Sequence, residues 1–122
     1  MTRQGSVDFS VTLRRVGATH VVDVGGSVGV MGAALLGSRL LAVLNDGAQR
    51  LILDLGAARP LAPGALLAML LRIDRYAAQR GARLVTVAGP ASRPTLESNS
   101  AQRCLAVARS RDEAAERLGA GA

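Results

Sequence analysis

One short segment, residues 50–55 (Arg-Leu-Ile-Leu-Asp-Leu), does most to limit the folds open to this chain. It is almost continuously apolar, which is typical of a strand covered on both faces by helices. The segments on either side, 30–44 and 63–80, repeat their apolar residues at helical spacing. Because helical crossovers join parallel strands, the sequence predicts an α/β fold in which residues 50–55 lie centrally in a sheet.

The N-terminal part has the two-residue alternation of half-buried strands. Phe9, Val11 and Leu13 alternate with polar residues, and a second strand pattern covers 20–24. The two patterns are separated by a short turn, so they predict a β-hairpin. The glycine-rich stretch 25–29 then breaks the pattern and is interpreted as a strand-to-helix turn. It could instead cradle a phosphate, although it lacks the Lys-Ser/Thr ending of a P-loop.

Two long helices are predicted on either side of the central strand. The first ends at Asn45-Asp46-Gly47, and the second begins at Pro63, a residue suited to the first helical turn, after a connector at 56–60. The residues predicted to form their apolar sides are Met31, Leu35, Leu36, Leu40 and Val43 in the first, and Leu66, Met69, Leu70, Ile73 and Ala77 in the second.

The C-terminal third adds a strand at 84–87, a short helix within 92–102 and a final short strand at 104–107. A capping box at 110–113 (Ser-Arg-Asp-Glu) predicts a last helix that runs to Leu118 and ends at Gly119. The resulting order, β-β-α-β-α-β-(α)-β-α, predicts a mixed sheet of four to five strands, an N-terminal hairpin followed by parallel strands, packed with three to four helices.

Length and charge narrow the functional classes. A chain of 122 residues suits one domain, with a core at about 8–118 and short flexible termini. The net charge of +6 comes from 15 basic residues that are all Arg and scattered along the chain, and only two aromatic residues are present. This pattern argues against nucleic-acid binding, which uses clustered charge and stacking platforms. The longest apolar run, 61–71, is too short to span a membrane, and the N-terminus has no secretory-type apolar block, so we expect a cytoplasmic protein.

No set of residues suggests catalysis. One cysteine and one histidine cannot form a structural metal site, and neither His20 nor Cys104 has a catalytic partner near it in sequence. We interpret His20 as structural, Cys104 as a buried small hydrophobe and Asp54 as a cap for the loop after its strand. The sequence therefore predicts a protein that is not an enzyme and that has no metal and no cofactor.

Four local patterns, taken in order, carry a resemblance to a known family: Val24-Gly25-Gly26, residues 51–55, the strand entry 81–87, and Arg93-Pro94-Thr95-Leu96-Glu97 followed by 110–115. Together they resemble the STAS domain (anti-sigma factor antagonist) family over about residues 8–118. The resemblance implies a domain of bacterial partner switching, which binds an anti-sigma factor kinase and thereby releases a sigma factor. In such domains, phosphorylation of one serine prevents binding.

The position of that serine is occupied differently in this chain. The family carries it in an Asp-Ser-Ser/Thr-Gly-Leu element at the start of the second long helix, and this element falls on residues 62–66 (Ala-Pro-Gly-Ala-Leu). Pro63 then stands at the acceptor position. Between residues 55 and 91 the only Ser or Thr is Thr86, inside a predicted strand. The resemblance thus implies a degenerate phosphosite, and Gly29 stands where the family often has an acid.

These expectations combine into a non-catalytic protein-binding module of transcription regulation that works without phosphorylation at the usual serine. The expected partner is an anti-sigma factor kinase-like protein or another STAS-type protein, and a homodimer is left open. The alternative is a STAS-like ligand-sensing or transporter-accessory domain that binds a small apolar molecule or a transport subunit. The residues predicted to bind the partner are Leu61, Ala62, Pro63, Gly64, Ala65, Ser27 and Gly29. Leu61 could equally belong to the core.

Overall fold

The computed structural model describes residues 9–120, and for residues 99, 100, 102 and 120 it describes the backbone alone. The termini predicted to be flexible, 1–7 and 119–122, lie largely outside the described part. Five strands form one sheet in chain order, with β1 and β2 antiparallel and the remaining pairs parallel. The predicted mixed sheet is therefore confirmed. Its strands are β1 (Ser10–Val16), β2 (Thr19–Val28), β3 (Arg50–Pro60), β4 (Arg83–Ala88) and β5 (Ala106–Ala108).

The described residues form three long helices, which pack on the sheet, and two short helices, which contact the second long helix. The long helices lie where the apolar spacing and the capping box predicted them, and the region 92–102 contains two short helices where the sequence predicted one. The helices are α1 (Val30–Asn45), α2 (Pro63–Gln79), α3 (Arg93–Leu96), α4 (Asn99–Cys104) and α5 (Arg111–Ala120).

Alternate side chains of the parallel strands feed two separate apolar clusters. Val22, Leu53 and Leu55 point toward α1 and α2 and belong to the larger cluster. Ile52 and Val85 point to the other face and pack with Ala114 and Leu118 of α5. The central strand is thus covered on both faces, as its nearly continuous apolar sequence predicted.

Two predicted boundaries were wrong. The glycine-rich stretch 25–29 was interpreted as a turn and 56–60 as a connector, but β2 continues to Val28 and β3 to Pro60. The two extensions pair with each other, Gly25 opposite Ala57 through Val28 opposite Pro60, after a register shift between Asp23 and Gly25. Gly26 has a φ of 81°, which an L side chain rarely adopts. Glycine here accommodates an irregular strand and does not end it, so no phosphate-cradling loop is formed by 25–29.

Three predictions about the C-terminal third are corrected. Cys104 ends α4 and is exposed, whereas the sequence suggested a buried position in a strand. The last helix continues through Gly119. Its capping box is modified: the Ser110 hydroxyl accepts a hydrogen bond from the Glu113 amide at 3.0 Å, but the Glu113 carboxylate accepts from the amide of Arg109, one residue before the cap.

The end of β4 meets the middle of β3 in a tight junction. The fully buried Ser92 hydroxyl accepts a hydrogen bond from the Gly89 amide at 2.9 Å and donates to the carbonyl of Leu55 at 3.3 Å. A methyl group added to Gly89 would lie 2.2 Å from the backbone oxygen of Gly56. The two backbones can therefore approach this closely only with glycine at position 89.

Candidate partner-binding surface

The starts of α1 and α2 lie side by side because the strands that precede them pair to their ends. Val28 is opposite Pro60, and the amide of Leu61 donates to the Val28 carbonyl at 2.8 Å. Helix α1 begins at Val30, two residues after β2, and α2 begins at Pro63, three residues after β3. This geometry places both helix N-termini at the carboxyl end of the sheet, where binding sites of open α/β sheets are commonly found.

Large aliphatic side chains are exposed at both helix starts. Val30 is 64% exposed, Met31 76% and Leu61 67%. Pro63 and Gly64 are exposed beside Leu61. We call Val30, Met31, Leu61, Pro63 and Gly64 the helix-start surface. Clustered exposed aliphatic side chains of this kind mark interaction sites in soluble proteins.

The exposure of Met31 and of Leu35 corrects the predicted core of α1. The sequence placed Met31 and Leu35 on its apolar side, but Leu35 is 55% exposed. The buried residues Ala33, Leu36 and Leu40 lie on a helical stripe beside the one that carries Met31 and Leu35. Because both stripes carry large apolar residues, the sequence alone did not show which stripe is buried.

The helix-start surface has no acidic residue in the first turn of either helix that forms it. The cap residues Gly29 and Ala62 make no side-chain cap hydrogen bond. The first backbone N–H groups of both helices thus give this end of the molecule partial positive charge. Nearby, Arg59 donates a hydrogen bond to the Ser27 hydroxyl at 2.8 Å.

The residues that the sequence nominated for partner binding come together at this end of the sheet. Leu61 is exposed, which excludes the interpretation that it belongs to the core. Among the hydroxyl groups, Thr86 is 1% exposed within β4, and Ser92 is fully buried at the β3–β4 junction. Ser27 is half-buried, on the strand next to residues 59–61. The other nominated residues are distributed as follows: Pro63 and Gly64 are exposed, and Gly29, Ala62 and Ala65 are half-buried.

A second polar feature, which the sequence did not reveal, lies on the α5 face of the sheet. Arg111, at the first turn of α5, donates from Nε to Asp54 Oδ2 at 2.6 Å and from a terminal nitrogen to Asp23. Arg14 donates to the other oxygen of Asp23 at 3.1 Å. The hydrogen bond to Asp54 raises the pKa of the Arg111 guanidinium, and the charge of Asp23 adds to this effect.

Asp54 was predicted to cap the loop after its strand, but β3 continues through that segment to Pro60, so no loop follows it there. Its Oδ1 accepts a hydrogen bond from the Gly56 amide at 2.8 Å. Both carboxylate oxygens are thereby engaged, one by backbone and one by Arg111, so Asp54 holds β3 and α5 in place. In the described residues no group of His, Cys, Asp or Glu is arranged to hold a metal ion. None of the described helices has the length and apolar character needed to cross a bilayer.

An apolar groove of about 460 Å³ runs between α1 and α2. Gly37 lets the two helices approach closely beside it, because an added Cβ would lie 3.0 Å from Met69 Cγ. Leu41, Ile73 and Tyr76 also line the groove. Its size and lining fall within the range of small-molecule sites.

At the level of sequence, no protein family and no curated protein matches this chain. Its structure, however, is similar to an anti-sigma factor antagonist from Mycobacterium paratuberculosis, with a TM-score of 0.76 and 20% identity over 89% of this chain and 92% of that one. It is similar to a putative anti-sigma factor antagonist from Thermotoga maritima (TM-score 0.73, 15% identity, 88% and 92% covered). It is also similar to the unphosphorylated anti-sigma factor antagonist SpoIIAA (TM-score 0.72, 15% identity, 91% and 97% covered). At these identities the likeness establishes the fold, which is the one the sequence suggested.

Proposed function

We propose, starting from a fold shared with anti-sigma factor antagonists, that this chain is a non-catalytic protein-binding domain of the STAS type. It acts in bacterial regulatory partner switching, in the cytoplasm, as a single domain. The observation that carries the proposal is the helix-start surface, where Val30, Met31 and Leu61 each expose more than 60% of their surface.

Burial of this surface supplies the driving force for association. Fully burying a Leu, Val or Met side chain contributes about 1.5–3 kcal/mol, so the exposed parts of Val30, Met31 and Leu61 together are worth about 3–6 kcal/mol before the costs of association. The partial positive charge of the two helix N-termini favours a partner with carboxylate groups around its apolar contact. Shape and apolar contact thus contribute most of the binding free energy, and charge sets the orientation of the partner.

The proposed binding does not depend on phosphorylation of a serine at the start of α2. Pro63, the residue at the expected acceptor position, carries no hydroxyl, and Thr86 and Ser92 are too buried for a kinase to reach. Binding by this domain is therefore independent of phosphorylation at that helix start.

The partner we propose is an anti-sigma factor of the kinase-like ATPase class or a second STAS-type protein. The test is affinity purification of the tagged full chain from its native host, followed by mass spectrometry. Recovery of a kinase-like ATPase or a STAS protein supports the proposal. Recovery of neither, from cells in which the chain is expressed and folded, contradicts it.

A charge substitution in the surface tests its location. Leu61→Asp should weaken partner binding at least about tenfold, because an unpaired carboxylate replaces buried aliphatic area. Val16→Asp is the matched control, since Val16 is 59% exposed and ends β1 beside the hairpin turn, at the opposite end of the sheet. Equal loss of binding in the two variants, or no loss with Leu61→Asp, would place the interface elsewhere.

A second function is favoured by the groove between α1 and α2. Its apolar lining suits a small apolar molecule, and a domain using it would act in ligand sensing or as a transporter accessory. Thermal-shift measurements with fatty acids and haem test this function, because a specific ligand raises the Tm by mass action. Ala34→Leu, which adds bulk at an exposed residue of the lining, should fill the groove and abolish such a shift.

A further inference from the structure

The outer edge of the sheet at β1 has no partner strand in the described part of the chain. β1 is the first strand of the sheet, and all of its residues except Val11 are exposed. Leu13 is 50% exposed and Val16 59%. Unpaired N–H and C=O groups on such an edge are a template for another strand. We propose that this edge pairs with the same edge of a second copy of the chain, so that one sheet continues across a two-fold axis.

The edge of the sheet at β5 lacks these properties. β5 has only three residues, and the Arg117 guanidinium donates a hydrogen bond to the carbonyl of Val107. Proteins protect sheet edges in this way, with short strands and charged side chains. β1 has seven residues and no proline, and its pairing with β2 runs without a register shift. The charge of Arg14 is compensated by Asp23 of β2 at 3.1 Å. Of the two edges, β1 is therefore the one open to association.

The hairpin turn determines which backbone groups of β1 point outward. The two-residue loop 17–18 is closed by the pair Val16–Thr19. The closing pair of such a turn is hydrogen-bonded, and hydrogen-bonded pairs alternate with non-hydrogen-bonded pairs along an antiparallel ladder. Every second residue back from Val16 therefore bonds to β2. The N–H and C=O groups that point to the free edge are those of Val11, Leu13 and Arg15.

These three residues are symmetric about Leu13, so an antiparallel pairing of two copies uses all of them at once. Leu13 lies opposite Leu13 of the second copy on the axis, and Val11 lies opposite Arg15 on either side of it. Each of these pairs exchanges two hydrogen bonds. Arg14 then lies opposite Thr12 of the second copy, so no arginine of β1 faces another. A register centred on Arg14 would instead set like charges opposite each other, which is destabilising.

The side chains favour a second copy as the occupant of this edge. Val11 and Leu13 lie on one face of β1, and Val11 packs against the larger apolar cluster. The two Leu13 side chains meet on this face across the axis, and such cross-strand aliphatic contacts stabilise a sheet. One strand from each copy forms the interface, which is smaller than the roughly 800 Å² per partner of a stable complex. The dimer should therefore be weak, with a Kd of about 10–500 µM.

Sedimentation equilibrium of the full chain, from about 5 µM to about 1 mM, tests the association. Leu13→Arg should raise the Kd at least about tenfold, because it sets two like charges opposite each other on the axis. Leu61→Arg is the matched control, since Leu61 is 67% exposed but lies on the helix-start surface. Equal weakening by the two variants overturns the proposal. A wild-type chain that stays monomeric also overturns it, and leaves the edge to a strand of another protein.

Disulfide formation tests the position of the axis in a Cys104→Ser background, which removes the exposed native thiol. Leu13→Cys places two thiols in a hydrogen-bonded pair with Cα atoms about 5.5 Å apart, a separation that a disulfide spans. Arg15→Cys is the control, because the two copies of residue 15 lie more than about 13 Å apart in this register. Oxidation by dioxygen with a copper–phenanthroline catalyst should cross-link Leu13→Cys at least about tenfold faster, and equal rates overturn the proposal. β1 contributes no residue to the helix-start surface, so either result is independent of the proposed function.

Discussion

Replacing Gly89 by alanine should destabilise the protein strongly, although it adds only one methyl group. The new Cβ would lie 2.2 Å from the Gly56 oxygen and 2.6 Å from the Gly56 Cα. Ordinary carbon–oxygen contacts are about 3.3 Å or longer, so the two backbones would have to separate by about 1 Å. Both neighbours are backbone atoms, so no side-chain rotation can relieve the overlap.

The separation would also break the hydrogen bonds at this junction. The Ser92 hydroxyl, which is fully buried, accepts from the Gly89 amide and donates to the Leu55 carbonyl. Overpacking alone costs about 1–3 kcal/mol. An unpaired buried group adds about 1–3 kcal/mol. We therefore expect Gly89→Ala to lower the free energy of unfolding by about 3 kcal/mol and the Tm by about 12 °C.

Urea unfolding followed by circular dichroism measures this change, with the midpoint and slope determined separately. Gly119→Ala is the control, because Gly119 lies within α5, is exposed, and has no atom within 4 Å of an added Cβ. Alanine is the better helix former, so this variant should gain up to about 1 kcal/mol. A loss below about 0.5 kcal/mol for Gly89→Ala would refute the argument that this junction admits only glycine.

Three other substitutions test separate features. Burial raises the pKa of the Asp74 carboxyl in the folded protein above its ordinary value of 3.8. The folded protein therefore loses stability as the pH rises through this raised pKa, because the carboxyl must then ionise where it is partly buried. Asp74→Asn should unfold at a higher urea concentration than the wild type at neutral pH, and this difference should disappear below about pH 4. Arg111→Gln removes both ion pairs to Asp23 and Asp54 and should cost about 1 kcal/mol, because the pairs are partly exposed, with a smaller cost in high salt when urea midpoints are compared. Pro63→Asp should stabilise the start of α2, because a negative charge is favourable at a helix N-terminus. The same charge should weaken partner binding in the pull-down, because it is unfavourable in an apolar interface. Unchanged recovery of the partner would argue against a contact at Pro63.

The sheet and the long helices could be predicted from the sequence because their signals are local. The apolar run at 50–55 and the helical spacing from Pro63 each identify an element without knowledge of its neighbours. The residues at which the strands end were harder to predict. Gly25, Gly26 and Pro60 are typical strand breakers, yet β2 and β3 continue through them because each extension supplies hydrogen-bond partners for the other.

The surface features depended on information that the sequence pattern does not contain. Met31 fits an apolar helical stripe, and only the packing of α1 against α2 decides which stripe is buried. The contact between Asp54 and Arg111 joins residues 57 positions apart, and no local motif predicts it. The family resemblance identified the end of the sheet where Leu61 lies, but not its exposure.

The sequential strand order has a consequence for how the chain is made. Each strand from β1 to β5 lies beside the strand synthesised just before it, so no strand has to wait for a later one to fill a gap in the sheet. Such an arrangement keeps most contacts between segments that leave the ribosome close together in time. The growing polypeptide can therefore extend the sheet one strand at a time, and α5 closes over its second face after β5 has been added.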